Sequence, residues 1–135
     1  MRALLALTLL ASPALGDGYA AFQSPTGTIH CVMSDGEGGT EARCDLQALS
    51  HDFTRPAGGC SFGWGQAFVI NERGKGHLAC EPETVMDRGN PILPCGSVVS
   101  MGGVSCVSAR TGITCTNGSG NGFYIARTAW AARLF

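Results

Sequence analysis

Seven cysteines, Cys31, Cys44, Cys60, Cys80, Cys95, Cys106 and Cys115, are spread along a chain of 135 residues, and no two are close neighbours. This spacing constrains the fold more than any other feature. Structural zinc sites want C-x2-4-C pairs on tight turns, and even Cys106 and Cys115 stand farther apart than that. His30, beside Cys31, would point to the opposite face of a strand. The cysteines therefore read as disulfides, and no metal or cofactor is expected.

An odd count leaves one thiol over. Local sequence suggests the pairs. "GTIHCVM" and "EARCDL" flank the polar, glycine-rich "SDGEGGT", which predicts a hairpin with Cys31 opposite Cys44. "GVSCVS" and "GITCT", joined through "ART", set Cys106 against Cys115 in the same way. Cys60 and Cys80 flank "GQAFVINERGKGHLA", again strand, turn, strand. Cys95, between Pro94 and Gly96, stays a free thiol, open to linking two chains as a dimer. A bridge closing about 15 residues stabilises by about 3 kcal/mol in the chain-entropy model, which matters for a small core.

Disulfides need an oxidising compartment, and the N-terminus agrees. Arg2, the apolar run Ala3–Leu10, and small Ala14 and Gly16 before Asp17 form the pattern of a secretory signal peptide over residues 1–16. A periplasmic or secreted location is expected, with residues 17–135 as a single disulfide-rich β domain. No segment reaches about 18 uninterrupted apolar residues, so no membrane span is predicted. Without Arg2 the formal charge is −2, from eight Lys and Arg against ten Asp and Glu. That balance argues against a nucleic-acid partner.

Twenty glycines separate short β-branched and aromatic runs. The pattern predicts an all-β fold, a small antiparallel sandwich or barrel stapled by disulfides. Strands are expected at 20–23, 28–33, 42–46, 67–71, 77–81, 98–101, 104–107, 113–116 and 123–127, with a helical turn within Asp45–Asp52. Thr128–Phe135 reads as a short terminal helix, because Ala and Leu favour one. "GTIHCVMS" resembles "GGVSCVSA", and each copy leads through a second cysteine to an aromatic strand, "GQAFVI" or "GFYIA". Two copies of a three-strand unit are expected.

Catalytic signatures are weak. "TNGSGNG" has the glycine spacing of a phosphate loop, but β-formers follow it where a helix N-terminus would be needed, so it reads as a turn. "SHD" at Ser50–Asp52 places triad residue types side by side, and neighbours along a chain point apart. There is no G-x-S-x-G elbow. Cys95 is a potential nucleophile with no base identified by the sequence. No catalytic residue is assigned. Trp64 and Trp130 are large rings suited to the core; Trp64 is also the candidate for an exposed binding surface.

Taken in order, "FQSPTGTIHC", "ARCD", "WGQAF", "LPCG", "TGITCTN" and "NGFYIAR…LF" resemble a family of small secreted bacterial proteins catalogued as domain of unknown function 6636. The resemblance runs over the whole mature chain. It implies a bacterial, exported protein and supplies no activity or catalytic residues. The family usually carries tyrosine where this chain has Cys95, which agrees with Cys95 lying outside the bridges. Two function classes follow: an exported, non-catalytic binding or envelope-associated module for a protein or glycan, or alternatively a small secreted enzyme such as a hydrolase, or a protein inhibitor.

Overall fold

Ile29, Cys31 and Met33 alternate along one strand and are fully buried. That period of two puts them on one face of a sheet, and the same pattern recurs through the chain. The computed structural model describes residues 18–46, 67–80, 83–128 and 131–135. The predicted signal peptide, Cys60, Trp64, Trp130 and nearly all of the helical turn expected within Asp45–Asp52 lie outside the described residues.

Ten strands form: β1 (Tyr19–Gln23), β2 (Ile29–Gly36), β3 (Gly39–Leu46), β4 (Ala67–Asn71), β5 (His77–Leu78), β6 (Val98–Met101), β7 (Val104–Ser108), β8 (Gly112–Asn117), β9 (Gly122–Ala126) and β10 (Ala132–Leu134). β1 to β5 make one antiparallel sheet in sequence order, and β6 to β10 make a second. The sheets pack face to face, with β2 on β6, β3 on β7, and β4 on β8 and β9. The architecture is a sandwich and not a closed barrel, and no α-helix occurs among the described residues.

Two bridges sit at the centre. Cys31 and Cys44 are cross-strand partners bonded to each other, with Cα atoms 4.1 Å apart. Cys106 and Cys115 repeat the arrangement at 4.0 Å. Such short separations belong to non-hydrogen-bonded pairs of an antiparallel ladder. The two bridges meet across the sandwich, with Cys44 Sγ 3.9 Å from Cys115 Sγ. Neither sulfur carries a hydrogen, so the contact is dispersion. Phe68 and Phe123 lie beside it, ring centroids 5.9 Å apart and tilted by 46°. Cys80 is also disulfide-bonded; its expected partner, Cys60, is outside the described residues. Cys95 is free and exposed.

The repeat extends further than the three strands read from sequence. Across the first sheet the register runs Phe22, Cys31, Cys44, Phe68, Leu78. Across the second it runs Val99, Cys106, Cys115, Phe123, Leu134. Each unit is thus a five-strand meander with the same central row. The outermost members escape sequence comparison because Phe22 and Val99 share only apolar character.

Thr128–Phe135 does not make the expected terminal helix. Ala132–Leu134 pairs with β9 as β10, and Ala132 and Leu134 pack on the core. The ladder and this burial outweigh the small helix preference of Ala and Leu.

One side of the sandwich is sealed. The Phe135 carbonyl accepts the N–H groups of Gly76 (3.0 Å) and Gly122 (2.8 Å), joining the sheets. The approach there is so close that a Cβ on Gly76 would lie 2.0 Å from the Gly122 oxygen. Buried Asn117 adds a second clasp: its Nδ2 donates to the carbonyls of Asn71 (3.1 Å) and Gly74 (2.9 Å). Its Oδ1 accepts the Ser119 and Asn121 N–H groups, which shapes "TNGSGNG" as the β8–β9 turn.

Candidate functional site

The opposite side of the sandwich, between β1 and β6, is built differently. β6 is the edge of its sheet. Because Cys106 and Cys115 form a non-hydrogen-bonded pair, the Cys106 backbone groups turn toward β6 and meet Val99. The Ser108 N–H likewise donates to the Ser97 carbonyl at 3.0 Å, which fixes the same parity. Val99 and Met101, and the Ser97 carbonyl, therefore direct their backbone groups toward β7. Val98 and Ser100 direct theirs away from the sheet, toward the open edge. No backbone partner meets them among the described residues.

The surroundings of this edge are apolar. Val98 (56% exposed) and its cross-strand partner Val107 (38%) stand on the outer face, and Ile92 (55%) projects nearby. A groove of about 350 Å³ runs between β1 and β6, lined by Phe22, Ile92, Leu93, Val98 and Val99 among others. From Gly96 to Ala109 the chain carries no charged residue. Edge strands are usually guarded by lysine, proline or a covering segment, and β6 has none of these among the described residues. β1, by contrast, is capped at one end: Gln23 N–H donates to the Pro91 carbonyl, and Leu93 N–H to the Gln23 carbonyl, both at 2.9 Å.

The polar residues that resemble catalytic types are committed elsewhere. Gln23, His30 and Asp45 form a buried row on the outer face of the first sheet. They fasten the segment 83–93 across it. Asp45 accepts from Thr84 Oγ1 (2.9 Å) and Val85 N–H (3.0 Å), and it holds Arg43 through both oxygens. His30 Nδ1 accepts the Asp87 N–H at 3.3 Å, which places the ring proton on Nε2, where it meets the Gly27 carbonyl at 3.0 Å. Gln23 Nε2 donates to the Arg88 and Asn90 carbonyls. Buried polar groups need such partners, and here they anchor a strap.

Cys95 lies at a corner. The turn Pro94–Ser97 closes with Ser97 N–H on the Pro94 carbonyl (3.0 Å), and Gly96 takes a φ of 89°, which favours glycine. Gly96 N–H donates to the Ser108 carbonyl at 2.8 Å, latching this turn to the end of β7. Cys95 borders a small cavity of about 150 Å³ shared with Ser108, Arg110 and Arg127. The sequence flagged Cys95 but not Ser108, which has no motif. The uncharged run from Gly96 to Ala109 was the available sign of the open edge.

These features define a disulfide-stapled double-meander sandwich with a sealed seam and, among the described residues, an uncovered edge at β6. Its bridges point to an oxidising compartment. The chain belongs to a family of unknown function, DUF6636, whose model matches residues 2–133. No curated protein and no solved structure matches it. No helix among the described residues is long and apolar enough to cross a membrane.

Proposed function

We propose that this protein is an exported, non-catalytic binding module that takes an extended segment of an envelope protein as an added strand on β6. The observation that carries this reading is the outward backbone of Val98 and Ser100 on an uncharged edge, beside the groove against β1. Strand addition uses such main-chain groups for affinity and flanking pockets for side-chain selection. The lack of charge along Gly96–Ala109 suits an apolar, uncharged partner segment. The rigid bridged centre holds the edge in place with little ordering cost on binding. The signal-peptide pattern before Asp17 and the bridges support export. The hydrolase alternative has less support, because His30 and Asp45 are already hydrogen-bonded into the strap.

The test is affinity capture from a periplasmic extract with mature protein beginning at Asp17. Ser100→Pro removes an outward N–H that the internal ladder does not use, and Val98→Lys places a charge on the same edge. Both variants should keep their bridges and fold but lose the partner that the unaltered protein retains. Retention of the same partner by both would refute strand addition. A mature protein still carrying residues 1–16 would refute export.

A further inference from the structure

We infer that the place beside β6 is a slot for a single unpaired strand, one that alternates apolar residues with residues such as threonine, and that it excludes a second copy of this chain. The inference rests on strand addition at β6 and says what kind of segment is added. The position of β1 carries it. β2 faces β6, β3 faces β7, and β4 faces β8 and β9. β1 lies one strand beyond β2. The place next to β6 therefore faces β1, because strands in both sheets repeat at about 4.8 Å. A strand added there is covered by β1 across the usual sheet separation of about 10 Å.

The same cover excludes a second sandwich. Val98 and Ser100 are symmetric about Val99, so the backbone groups of two β6 strands match as an antiparallel pair. The two-fold axis of such a pair stands perpendicular to the sheet, which leaves both first sheets on the same side. Each copy's β1 would then fall on the other's β2. A lone segment brings no such second layer.

The face of β1 turned toward the slot is apolar. Phe22 pairs with Cys31 and Ala20 with Met33, both fully buried, so Phe22 and Ala20 share the inward face. Ile92 and Leu93 also line the groove, and no charged side chain does. An added residue opposite Val99 makes a non-hydrogen-bonded pair and turns its side chain inward, under β1. A charge there would be buried without a partner, which is costly. The residues on either side of it stand opposite Val98 and Ser100 on the outer face. Ser100 pairs there with Ser105 through hydroxyl oxygens 2.8 Å apart, and Val98 adjoins Val107. Hydroxyl and β-branched side chains both stabilise such cross-strand neighbours, and threonine supplies both. The occupant is thus an uncharged, alternating segment that has no sheet partner of its own.

Amide hydrogen exchange followed by NMR tests this, on mature protein beginning at Asp17, with a capped heptapeptide of alternating threonine and valine. The control is the isomer of the same composition with its valines together. At about ten times its Kd, the alternating peptide should slow exchange of the Val98 and Ser100 amides about tenfold. The isomer should protect them less. Ala20 is partly buried against the core, and Ala20→Leu extends a side chain into the slot from β1. That variant should lose the protection while keeping the β6–β7 ladder. If it folds poorly, nuclear Overhauser contacts between the peptide valines and the Ala20 methyl of the unaltered protein read the same geometry, and they should be present. Protection that survives Ala20→Leu, or valines that touch no residue of β1, would overturn the slot and leave strand addition standing. Equal protection by the isomer would overturn the alternation. Protection of Val98 and Ser100 that rises with protein concentration in the absence of peptide would make a second copy the occupant and overturn the inference. Absence of protection by the alternating peptide would overturn it as well, whereas strand addition itself is read by partner capture with Ser100→Pro.

Discussion

The two seams of the sandwich are made from equivalent parts and end up opposite in character. At the β4–β5 and β9–β10 side, Phe135 and Asn117 tie the sheets together with main-chain acceptors and a fully used amide. At the β1 and β6 side, the groove is apolar and the outward groups of Val98 and Ser100 meet no backbone partner among the described residues. Both seams border the same bridged centre, so the difference lies in what each edge does with its backbone. Sealing one side confers cohesion, and the open side is where the proposed recognition would occur. Mutations should separate these roles.

The largest loss is expected next to the sealed seam. Phe123 is fully buried, pairs with Cys115 in register, and contacts the Phe68 ring. Phe123→Ala should destabilise by about 3–5 kcal/mol, from lost burial plus the cavity left behind. A urea or thermal midpoint measures this. A cost near zero would mean that the stacked centre does not bear the stability assigned to it.

Next comes close backbone packing, between β9 and β8 at Gly122 and between the two sheets at Gly76. Gly122→Val would set a side chain about where the Cys115 carbonyl lies, since a Cβ there falls 1.9 Å from that oxygen. Both contacting groups are backbone and cannot swing aside. Overpacking of this sort costs about 1–3 kcal/mol or more. The cause is proximity and not a turn conformation: Gly122 is a strand residue of β9. Gly76→Ala at the facing position should cost a similar amount, because the obstruction there is the Gly122 carbonyl at 2.0 Å. If both substitutions were neutral, the seam would have to be looser than its hydrogen bonds indicate.

Legibility in the sequence follows the same division. The bridged hairpins were readable because Cys31 and Cys44, and Cys106 and Cys115, flank short turns within alternating runs; local chemistry and tertiary structure agree there. The strap was not readable, because Gln23, His30 and Asp45 find their partners in residues 84–90, far along the chain. Propensity favours a helix over Thr128–Phe135 because it carries no information about the β9 edge that Ala132–Leu134 joins. Unpaired groups on β6 depend on hydrogen-bond parity, and that is set by the Cys106–Cys115 pair and not by any residue of β6 itself. Ser108 illustrates the limit most plainly: a serine in "CVSA" gives no hint that its hydroxyl will be buried with no partner among the described residues.

On the open side, Ser100→Pro should change stability by about 0.5 kcal/mol or less, the range of surface substitutions away from special features. Among the described residues its outward N–H has no partner to lose, and the side-chain hydrogen bond forfeited is the exposed pairing with Ser105 Oγ at 2.8 Å. The contrast with Gly122→Val sharpens the comparison: a large stability effect without a binding defect on one side, a binding defect without a stability effect on the other. A strong loss of stability in Ser100→Pro would show that β6 is structurally occupied and would remove the basis for strand addition.

The smallest effect concerns the corner of the first sheet that the β6–β7 turn approaches. Gly102, in the β6–β7 turn, packs on Thr40, and Glu72 sits alongside. Glu72 accepts the Thr40 N–H at 2.9 Å through Oε1, and its own N–H donates to the Thr40 carbonyl at 3.1 Å. The Thr40 N–H holds the Glu72 carboxyl below the usual carboxylate range. A carboxylate with a lowered folded-state value stabilises the fold above its unfolded value and loses that contribution as pH falls through the folded one. Stability should therefore decline somewhat on the acid side of the ordinary glutamate range, and Glu72→Gln should remove this part of the decline. The contribution should be small, because the carboxylate is exposed to solvent and the contact is screened. Urea midpoints of both proteins between about pH 7 and about pH 3 measure it, as titration of an ordinary glutamate is complete over that span. The two should converge as pH falls. Curves that stay parallel throughout would mean that the Glu72 carboxylate adds nothing to stability through the Thr40 N–H.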